Sequence, residues 1–119
     1  MVDLDAVKER IDGVVGEWAD DLIEASHDIH THPELGFDEH HAHDVLTALL
    51  ERAGLAVTKS AYGIPTAFEA RAGRDGPTIA VLCEYDALPG IGHACGHNII
   101  GSAGVGAGIA AAAVADELG

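Results

Sequence analysis

The chain has 119 residues, enough for one small domain with a single hydrophobic core, and a second domain is not expected. Apolar residues make up 48% and charged residues 22%, a globular composition that excludes an intrinsically disordered chain. Twenty acidic residues against six Lys and Arg give a formal net charge of -14, which excludes nucleic acid and anionic membrane surfaces as partners by repulsion.

The acidity has two explanations, an ordinary acidic surface or adaptation to a high-salt cytoplasm in which screening relieves self-repulsion. The scarcity of lysine and the many Ala, Gly and Asp residues favour the halophile-like explanation. The first residues contain no basic segment followed by an apolar one, which predicts a cytoplasmic protein without a secretory signal. Cys83 and Cys95 are too few for a disulfide framework, so we expect reduced thiols.

Two amphipathic helices are predicted in the first half of the chain. Apolar residues at three- and four-residue steps predict a helix over residues 4–29, and His32-Pro33 ends it because the residue before proline avoids the α region. A second helix is predicted from Asp38 to Ala53, with Asp38 as its N-cap and Gly54 as its C-terminal cap.

Three strands and a third helix are predicted after these. The strand candidates are residues 55–61, 66–73 and 78–85, and the last is apolar almost throughout, as is typical of a strand covered on both faces. Residues 99–115 carry no charge but are mostly Gly and Ala, whereas a membrane span needs ~20 strongly apolar residues. We therefore expect a buried helix packed closely on a sheet, with backbone contact at Gly104 and Gly108, in an α/β arrangement.

The densest chemical signal is the polar, Gly-rich loop over residues 84–98, directly after the third strand candidate, where ligands sit in open α/β sheets. Cys95 and His97 are separated by one glycine, which lets a thiolate and an imidazole turn toward a shared metal ion. Asp86 could accept a hydrogen bond from the metal-bound imidazole or bind the ion directly. A C-x-H spacing alone is more often a buried cysteine beside a loop histidine, so this interpretation depends on the neighbouring motifs.

Six of the eight histidines fall between positions 27 and 43, which is compatible with a metal-sequestering tract. His40 and His43 can share a helix face, but solvated histidines do so as well. No Cys or close carboxylate pair completes a site nearby in the sequence, so the sequestering tract is the weaker interpretation.

Three motifs in one order carry a family resemblance: H-x-H-P-E-L-G-F at 30–37, D-A-L-P at 86–89 and G-H-A-C-G-H-N at 92–98. They resemble the aminoacylase-type metal-dependent amidohydrolases, which include p-aminobenzoyl-glutamate hydrolase, indole-acetyl-amino-acid hydrolase and related dipeptidases. The resemblance extends over essentially the whole chain. It implies a partial three-layer α/β/α sandwich of the zinc-peptidase type, with N-terminal helices and an incomplete sheet.

By this resemblance Cys95 and His97 are metal ligands, Cys95 is the bridge between two divalent ions, and Asp86 is the acidic residue of the first active-site loop. Zinc or manganese is favoured, and cobalt or nickel is also compatible with thiolate and imidazole ligands. His32 and Glu34 lie in a motif that shapes the pocket. Family members hydrolyse an amide linking an acyl group to an amino acid, using a carboxylate base while the metals polarise the carbonyl.

The chain departs from the family pattern at Asn98 and Ile100, where many relatives carry Asp and His. The Asn form resembles the subset that cleaves p-aminobenzoyl-glutamate and dipeptides. The family's acidic pair, later histidine ligands and lid or dimerisation domain would lie beyond Gly119. We therefore expect residues 1–119 to be the N-terminal part of one catalytic domain, inactive alone because the base and several ligands are missing.

Two functional hypotheses remain open. The first is an enzyme fragment that acts on a small N-acyl amino acid or dipeptide through Asp86, Cys95 and His97. The second is a non-catalytic association module that keeps the scaffold and binds metal weakly. An incomplete sheet leaves an apolar edge, so self-association or a complementary chain is compatible with both hypotheses.

Overall fold

Three α-helices and one small sheet make up the fold in the computed structural model, which describes residues 1–118. The first helix, α1 (Leu4–Thr31), begins at Asp3, whose carboxylate accepts hydrogen bonds from two backbone N–H groups of the first turn. The helix ends at His32, immediately before Pro33. The prediction of a long first helix that stops at the His-Pro step is confirmed.

The second helix, α2 (His40–Arg52), is capped at its N-terminus by a residue outside the helix. Glu34 accepts hydrogen bonds from the backbone N–H groups of His41 and Ala42, each 2.9 Å long. These are two of the donors that a helix N-terminus leaves without an intrahelical partner, and a carboxylate there also opposes the helix dipole. The prediction that Asp38 is the N-cap is wrong, because Glu34 folds back onto the same donors.

A glycine ends α2 as predicted. Gly54 has φ +89°, a left-handed conformation that costs glycine little. Its N–H donates to the carbonyl of Glu51, and the next N–H, of Leu55, donates to Leu50, each at 3.0 Å. This is the pattern that satisfies the last carbonyls of a helix before the chain turns away.

The sheet contains two short antiparallel strands, β1 (Val57–Lys59) and β2 (Phe68–Ala70), with Thr58 opposite Glu69. The first two strand predictions are confirmed with narrower bounds. The third is wrong: residues 78–85 run extended without forming a strand, and Ile79 and Leu82 are 89% and 82% exposed. A strand needs neighbouring strands for its backbone hydrogen bonds, and within residues 1–118 no strand pairs with this segment.

The third helix, α3 (His97–Leu118), packs on α1 and on the extended segment, whereas a sheet was expected beneath it. A Cβ at Gly104 would lie 2.5 Å from Sγ of Cys83, so the backbones approach closely there as predicted. Apart from its own helix, no part of residues 1–118 lies within 4 Å of a Cβ placed at Gly108, and the predicted contact there is wrong. The main core cluster joins all three helices to one residue of the extended segment; it consists of Ala25, Ile29, Ala42, Leu46, Leu49, Leu50, Tyr85, Val105 and Ile109.

By length and composition α3 could also cross a membrane, a property that core helices of soluble proteins share. Within its most apolar 18-residue window, 44% of the residues are buried by the rest of the chain. Val105, Ile109 and Val114 are among the buried residues, so one face of α3 serves the core. The fold is thus a mixed helical and two-stranded arrangement, compatible with a partial α/β domain, and a three-layer sandwich is not seen in residues 1–118.

Candidate active site

The first two motifs of the sequence meet through their backbones. Leu35 and Ala87 form an isolated parallel bridge, and the N–H of Ala87 donates to the carbonyl of Glu34 over 2.7 Å. Leu88 and Gly92 then exchange backbone hydrogen bonds of 2.9 and 3.2 Å, which close the D-A-L-P loop into a tight turn. The loop after the extended segment is therefore anchored at both ends, and its side chains are held in place.

His97, the first residue of α3, lies between two carboxylates. Its Nδ1 is 2.7 Å from Oδ1 of Asp86, and its Nε2 is 3.2 Å from Oε2 of Glu84. An ionised carboxylate only accepts hydrogen bonds, so Nδ1–H donates to Asp86, and in a neutral ring the lone pair is on Nε2. In that tautomer Nε2 and Glu84 are both acceptors, so a hydrogen bond between them would require a second proton on the ring.

The sequence-based prediction paired Asp86 with His97 but gave Glu84 no role. The available signal was the spacing: residues 84 and 86 are two apart in an extended segment, which directs both side chains to one side. The structure accordingly presents both carboxylates to the same imidazole.

Cys95 lies in the turn before α3, and its thiol is free and exposed. Gly96 separates it from His97 and has φ +73°, the left-handed conformation for which glycine is suited. Within residues 1–118, the Cys95 thiol belongs to no group of three converging metal ligands. The structure therefore brings Asp86 and His97 together, leaves the Cys95 thiol exposed in the same loop, and gathers no three metal ligands there among residues 1–118.

His93 is a buried imidazole whose nitrogens are both without a hydrogen-bond partner in residues 1–118. Its ring stacks on that of His30, with 6.2 Å between centroids, and only 9% of the residue is exposed. Burial lowers the pKa of His93, and the nearby His30 lowers it further. A backbone interaction with Ile29 acts on the pKa in the opposite direction. His93 belongs to the G-H-A-C-G-H motif, but spacing alone assigned it no role.

A cavity of about 310 Å³ opens beside the two carboxylates. Phe37 and Ile64 contribute apolar surface to it, and Glu84, Tyr85 and Asp86 form another wall. Phe37 is 79% exposed. Its φ of +68° is an unfavourable backbone conformation for a bulky residue. The strained first motif thus presents an aromatic ring at the cavity.

His32 and Glu34, the residues of the first motif expected to shape the pocket, have different structural roles, and neither lines this cavity. Glu34 caps α2 and holds the D-A-L-P loop through its carbonyl. His32 lies with Asp28 and His41 in a group whose ligand atoms are all within 4.8 Å of one another. The histidine-rich stretch of the sequence therefore contains three converging side chains that spacing did not reveal, because His41 comes from a different helix.

Comparison with known proteins supports the family resemblance. No protein-family profile matches the chain. The chain is 44% identical over 118 residues to Xaa-Arg dipeptidase of Homo sapiens, an alignment that covers 88% of this chain and 27% of the relative. It is 38% identical over 118 residues to a p-aminobenzoyl-glutamate hydrolase subunit of Escherichia coli (strain K12), with 78% of this chain and 24% of the relative covered. It is 26% identical over 106 residues to the putative amidohydrolase YhaA of Bacillus subtilis (strain 168), with 77% of this chain and 26% of the relative covered.

An imidazole between two carboxylates beside a cavity is the kind of site found in metal-assisted hydrolases. These relatives fit the amidohydrolase family of the aminoacylase and p-aminobenzoyl-glutamate hydrolase type that the three motifs resemble. The chain spans about a quarter of the length of these relatives.

Proposed function

We propose that this chain supplies part of the active site of a metal-dependent hydrolase that cleaves the amide bond of a dipeptide or an N-acyl amino acid. The observation that carries the proposal is the fixed orientation of His97 by Asp86 at the edge of the cavity. The substrate class follows the names of the relatives, one an Xaa-Arg dipeptidase and one a subunit of a p-aminobenzoyl-glutamate hydrolase. The apolar surface of Phe37 and Ile64 would suit the apolar part of such a substrate.

The donor atoms of the loop fit a divalent metal in part. Nε2 of His97 and Oε2 of Glu84 are 3.2 Å apart, near the roughly 3.4 Å that separates two ligands of a tetrahedral zinc ion. Cys95 would add a thiolate from the same loop and could bridge two ions. Zinc or manganese is proposed, with cobalt or nickel compatible. When bound, the metal would polarise the scissile carbonyl and activate water.

Asp86 has a positioning role in this proposal. By accepting the proton of Nδ1 it fixes the ring orientation of His97 and keeps the lone pair of Nε2 available. Such a partner carboxylate makes the imidazole a better ligand without binding the metal itself.

We further propose that the chain is the N-terminal part of one catalytic domain with a three-layer sandwich, cytoplasmic and inactive by itself. The exposed side chains of Ile79 and Leu82 support this arrangement, because neighbouring strands would bury them. The free thiols of Cys83 and Cys95 agree with a reducing compartment.

Cobalt binding and hydrolysis together test this proposal. The 119-residue chain is titrated with Co²⁺, and a thiolate-to-cobalt charge-transfer band is expected that Cys95→Ala abolishes and His97→Ala weakens. A chimera in which this chain replaces the matching quarter of the Escherichia coli relative is then assayed for release of glutamate from p-aminobenzoyl-glutamate. His97→Ala should remove the chimera's activity, whereas the exposed control His40→Ala should not. A chimera equally active with and without His97 contradicts the proposal.

A second candidate function is an association module, favoured by the apolar residues 79–82 that residues 1–118 leave uncovered. Under this proposal the chain forms a homo-oligomer or joins a complementary chain through this segment. Light scattering after size exclusion should show self-association that Leu82→Lys reduces, while Lys at the already exposed Ala107 leaves it unchanged. A monomer at all concentrations counts against self-association.

A further inference from the structure

Three side chains from two helices converge at the end of α1. Nδ1 of His32 is 3.0 Å from Oδ1 of Asp28, and Nε2 of His41 is 3.0 Å from Oδ2 of the same carboxylate. The two imidazole rings lie 4.3 Å apart between centroids, with 36° between their planes. Both oxygens of one carboxylate thus lie near one nitrogen each of two histidines. Nδ1 of His32 is also 2.8 Å from the backbone carbonyl of Asp28, to which its N–H donates, so in a neutral ring the lone pair is on Nε2.

The backbone fixes this arrangement. Asp28 lies in the last turn of α1, and His32 is the residue that caps the C-terminus of this helix, four positions later. His41 arrives from the first turn of α2, and its own N–H is held by the carboxylate of Glu34 at 2.9 Å. The site therefore needs little further ordering before it receives a ligand.

Hydrogen bonding does not account for the position of His41. Its Nε2 is buried and has no partner of hydrogen-bonding geometry in residues 1–118, although Oδ2 of Asp28 is only 3.0 Å away. The nitrogen and the oxygen are close without being directed at each other. Two atoms related in this way converge on a third point, as the ligands of a metal ion do.

A pair of ion pairs explains the group less well. It would require both rings to be protonated, and two positive charges on rings 4.3 Å apart repel each other. Neutral rings avoid this repulsion but leave Nε2 of His41 unsatisfied, a costly state for a buried nitrogen. A bound cation would satisfy Nε2 of His41 and the Asp28 carboxylate together.

We propose that Asp28, His32 and His41 form a divalent-metal site separate from the Cys95 and His97 loop. Two imidazoles and one carboxylate favour zinc, cobalt, nickel or copper over magnesium and calcium, which prefer oxygen ligands. The net charge of -14 attracts cations to the surface. Open coordination positions are available, because 56% of the His32 side chain and 37% of the Asp28 side chain are exposed. The site rests on none of the residues assigned to hydrolysis.

The binding experiment removes the other candidate ligands first. In a Cys95→Ala/His97→Ala background of the full 119-residue chain, Zn²⁺ affinity is measured by competition with a chromophoric chelator. One ion per chain is expected. His41→Gln and Asp28→Asn should each weaken binding by more than about tenfold, because each removes a ligand.

His40→Gln is the matched control, since His40 is adjacent in α2 and 62% of its side chain is exposed. Its affinity for Zn²⁺ should equal that of the background. Equal affinities for the His40 and His41 variants overturn the proposal, and so does an absence of zinc binding in the background. The two proposals fail separately. A chimera without hydrolytic activity would contradict the proposed function but not Zn²⁺ binding at this site, and absence of Zn²⁺ binding here would leave hydrolysis by the chimera unaffected.

A measurement on the unsubstituted chain covers the possibility that a variant fails to fold. Nitrogen chemical shifts of the imidazoles are recorded by NMR with and without Zn²⁺. Large shifts are expected at Nε2 of His41, which faces Asp28, and in the His32 ring. Cobalt at this site should also give visible bands without a thiolate charge-transfer band. Shifts confined to His27, His30 and His40 overturn the proposal.

Discussion

Oδ1 of Asp86 lies 2.7 Å from Nδ1 of His97, across 11 residues of sequence and the turn that precedes α3. The contact joins two separate motifs of the chain, D-A-L-P and G-H-A-C-G-H. The other nitrogen of the ring, Nε2, lies 3.2 Å from Oε2 of Glu84. The orientation of His97 is thus set by the loop and not by α3 alone.

Replacing Asp86 by Asn should weaken metal binding at the loop by roughly 10- to 100-fold, because the charged acceptor becomes a neutral amide that can also present its NH2 group to Nδ1 and no longer fixes the tautomer. Isothermal titration with Zn²⁺ measures the change. Asp75→Asn is the control, since Asp75 is exposed in the loop before the extended segment. If the two variants bind equally well, Asp86 does not position His97.

Replacing Glu34 by Ala should lower the free energy of unfolding by about 1–2 kcal/mol, because α2 loses both hydrogen bonds of its external cap. Asp38→Ala should change it by less than about 0.5 kcal/mol, since that side chain is exposed and caps nothing. Urea unfolding of both variants distinguishes them. A larger loss of unfolding free energy for Asp38→Ala than for Glu34→Ala would support Asp38 as the N-cap.

Local patterns predicted the helices because each helix is encoded by residues within itself. The apolar stripe and the His-Pro step specify α1, and Gly54 specifies the end of α2. The N-cap of α2 was mispredicted because Glu34 acts from outside the helix. The prediction of a strand at 78–85 was wrong for a related reason, because a strand is stabilised by neighbouring strands from other parts of a chain.

The residues of the candidate sites also differ in whether local sequence or long-range packing identifies them. The motifs identified Asp86 and His97, and the structure places them in contact. Spacing did not identify Asp28 and His41 as partners, because they come together only when α1 and α2 pack. His93 was equally hidden, since its burial and lack of a partner are properties of the folded loop.

Gly104 and Gly108 offer a matched pair within one helix. Gly104→Ala should destabilise the fold by about 1–2 kcal/mol, because the new methyl group would meet Sγ of Cys83 and the carbonyl of Leu82. Gly108→Ala should stabilise it by up to about 1 kcal/mol through helix propensity, since the Cβ position is open. Thermal and urea unfolding give the two values. Stabilisation by both substitutions would contradict the close packing of α3 on the extended segment.

Tyr85 makes stability depend on pH in the alkaline range. Burial raises its pKa to about 12, and its hydroxyl donates to the backbone carbonyl of Thr66. The unfolded chain ionises this phenol near its ordinary value of about 10, so the native state binds more protons and stability falls with rising pH. The contribution is complete below about pH 10 and is lost as pH rises toward 12. Tyr85→Phe should flatten this part of the stability curve, measured by urea unfolding from neutral to alkaline pH; an unchanged slope contradicts the assignment.

The two cysteines should differ in reactivity. Cys95 is exposed, whereas burial raises the pKa of the Cys83 thiol, which also lies against α3 at Gly104. Because the thiolate is the nucleophile, alkylation of Cys95 should be faster by about tenfold or more. The Cys83→Ser and Cys95→Ser variants each leave one thiol, and mass spectrometry after timed iodoacetamide treatment gives its rate. Zn²⁺ should protect Cys95 if it is a ligand and should leave Cys83 unaffected, so protection of Cys83 alone would remove Cys95 from the metal site.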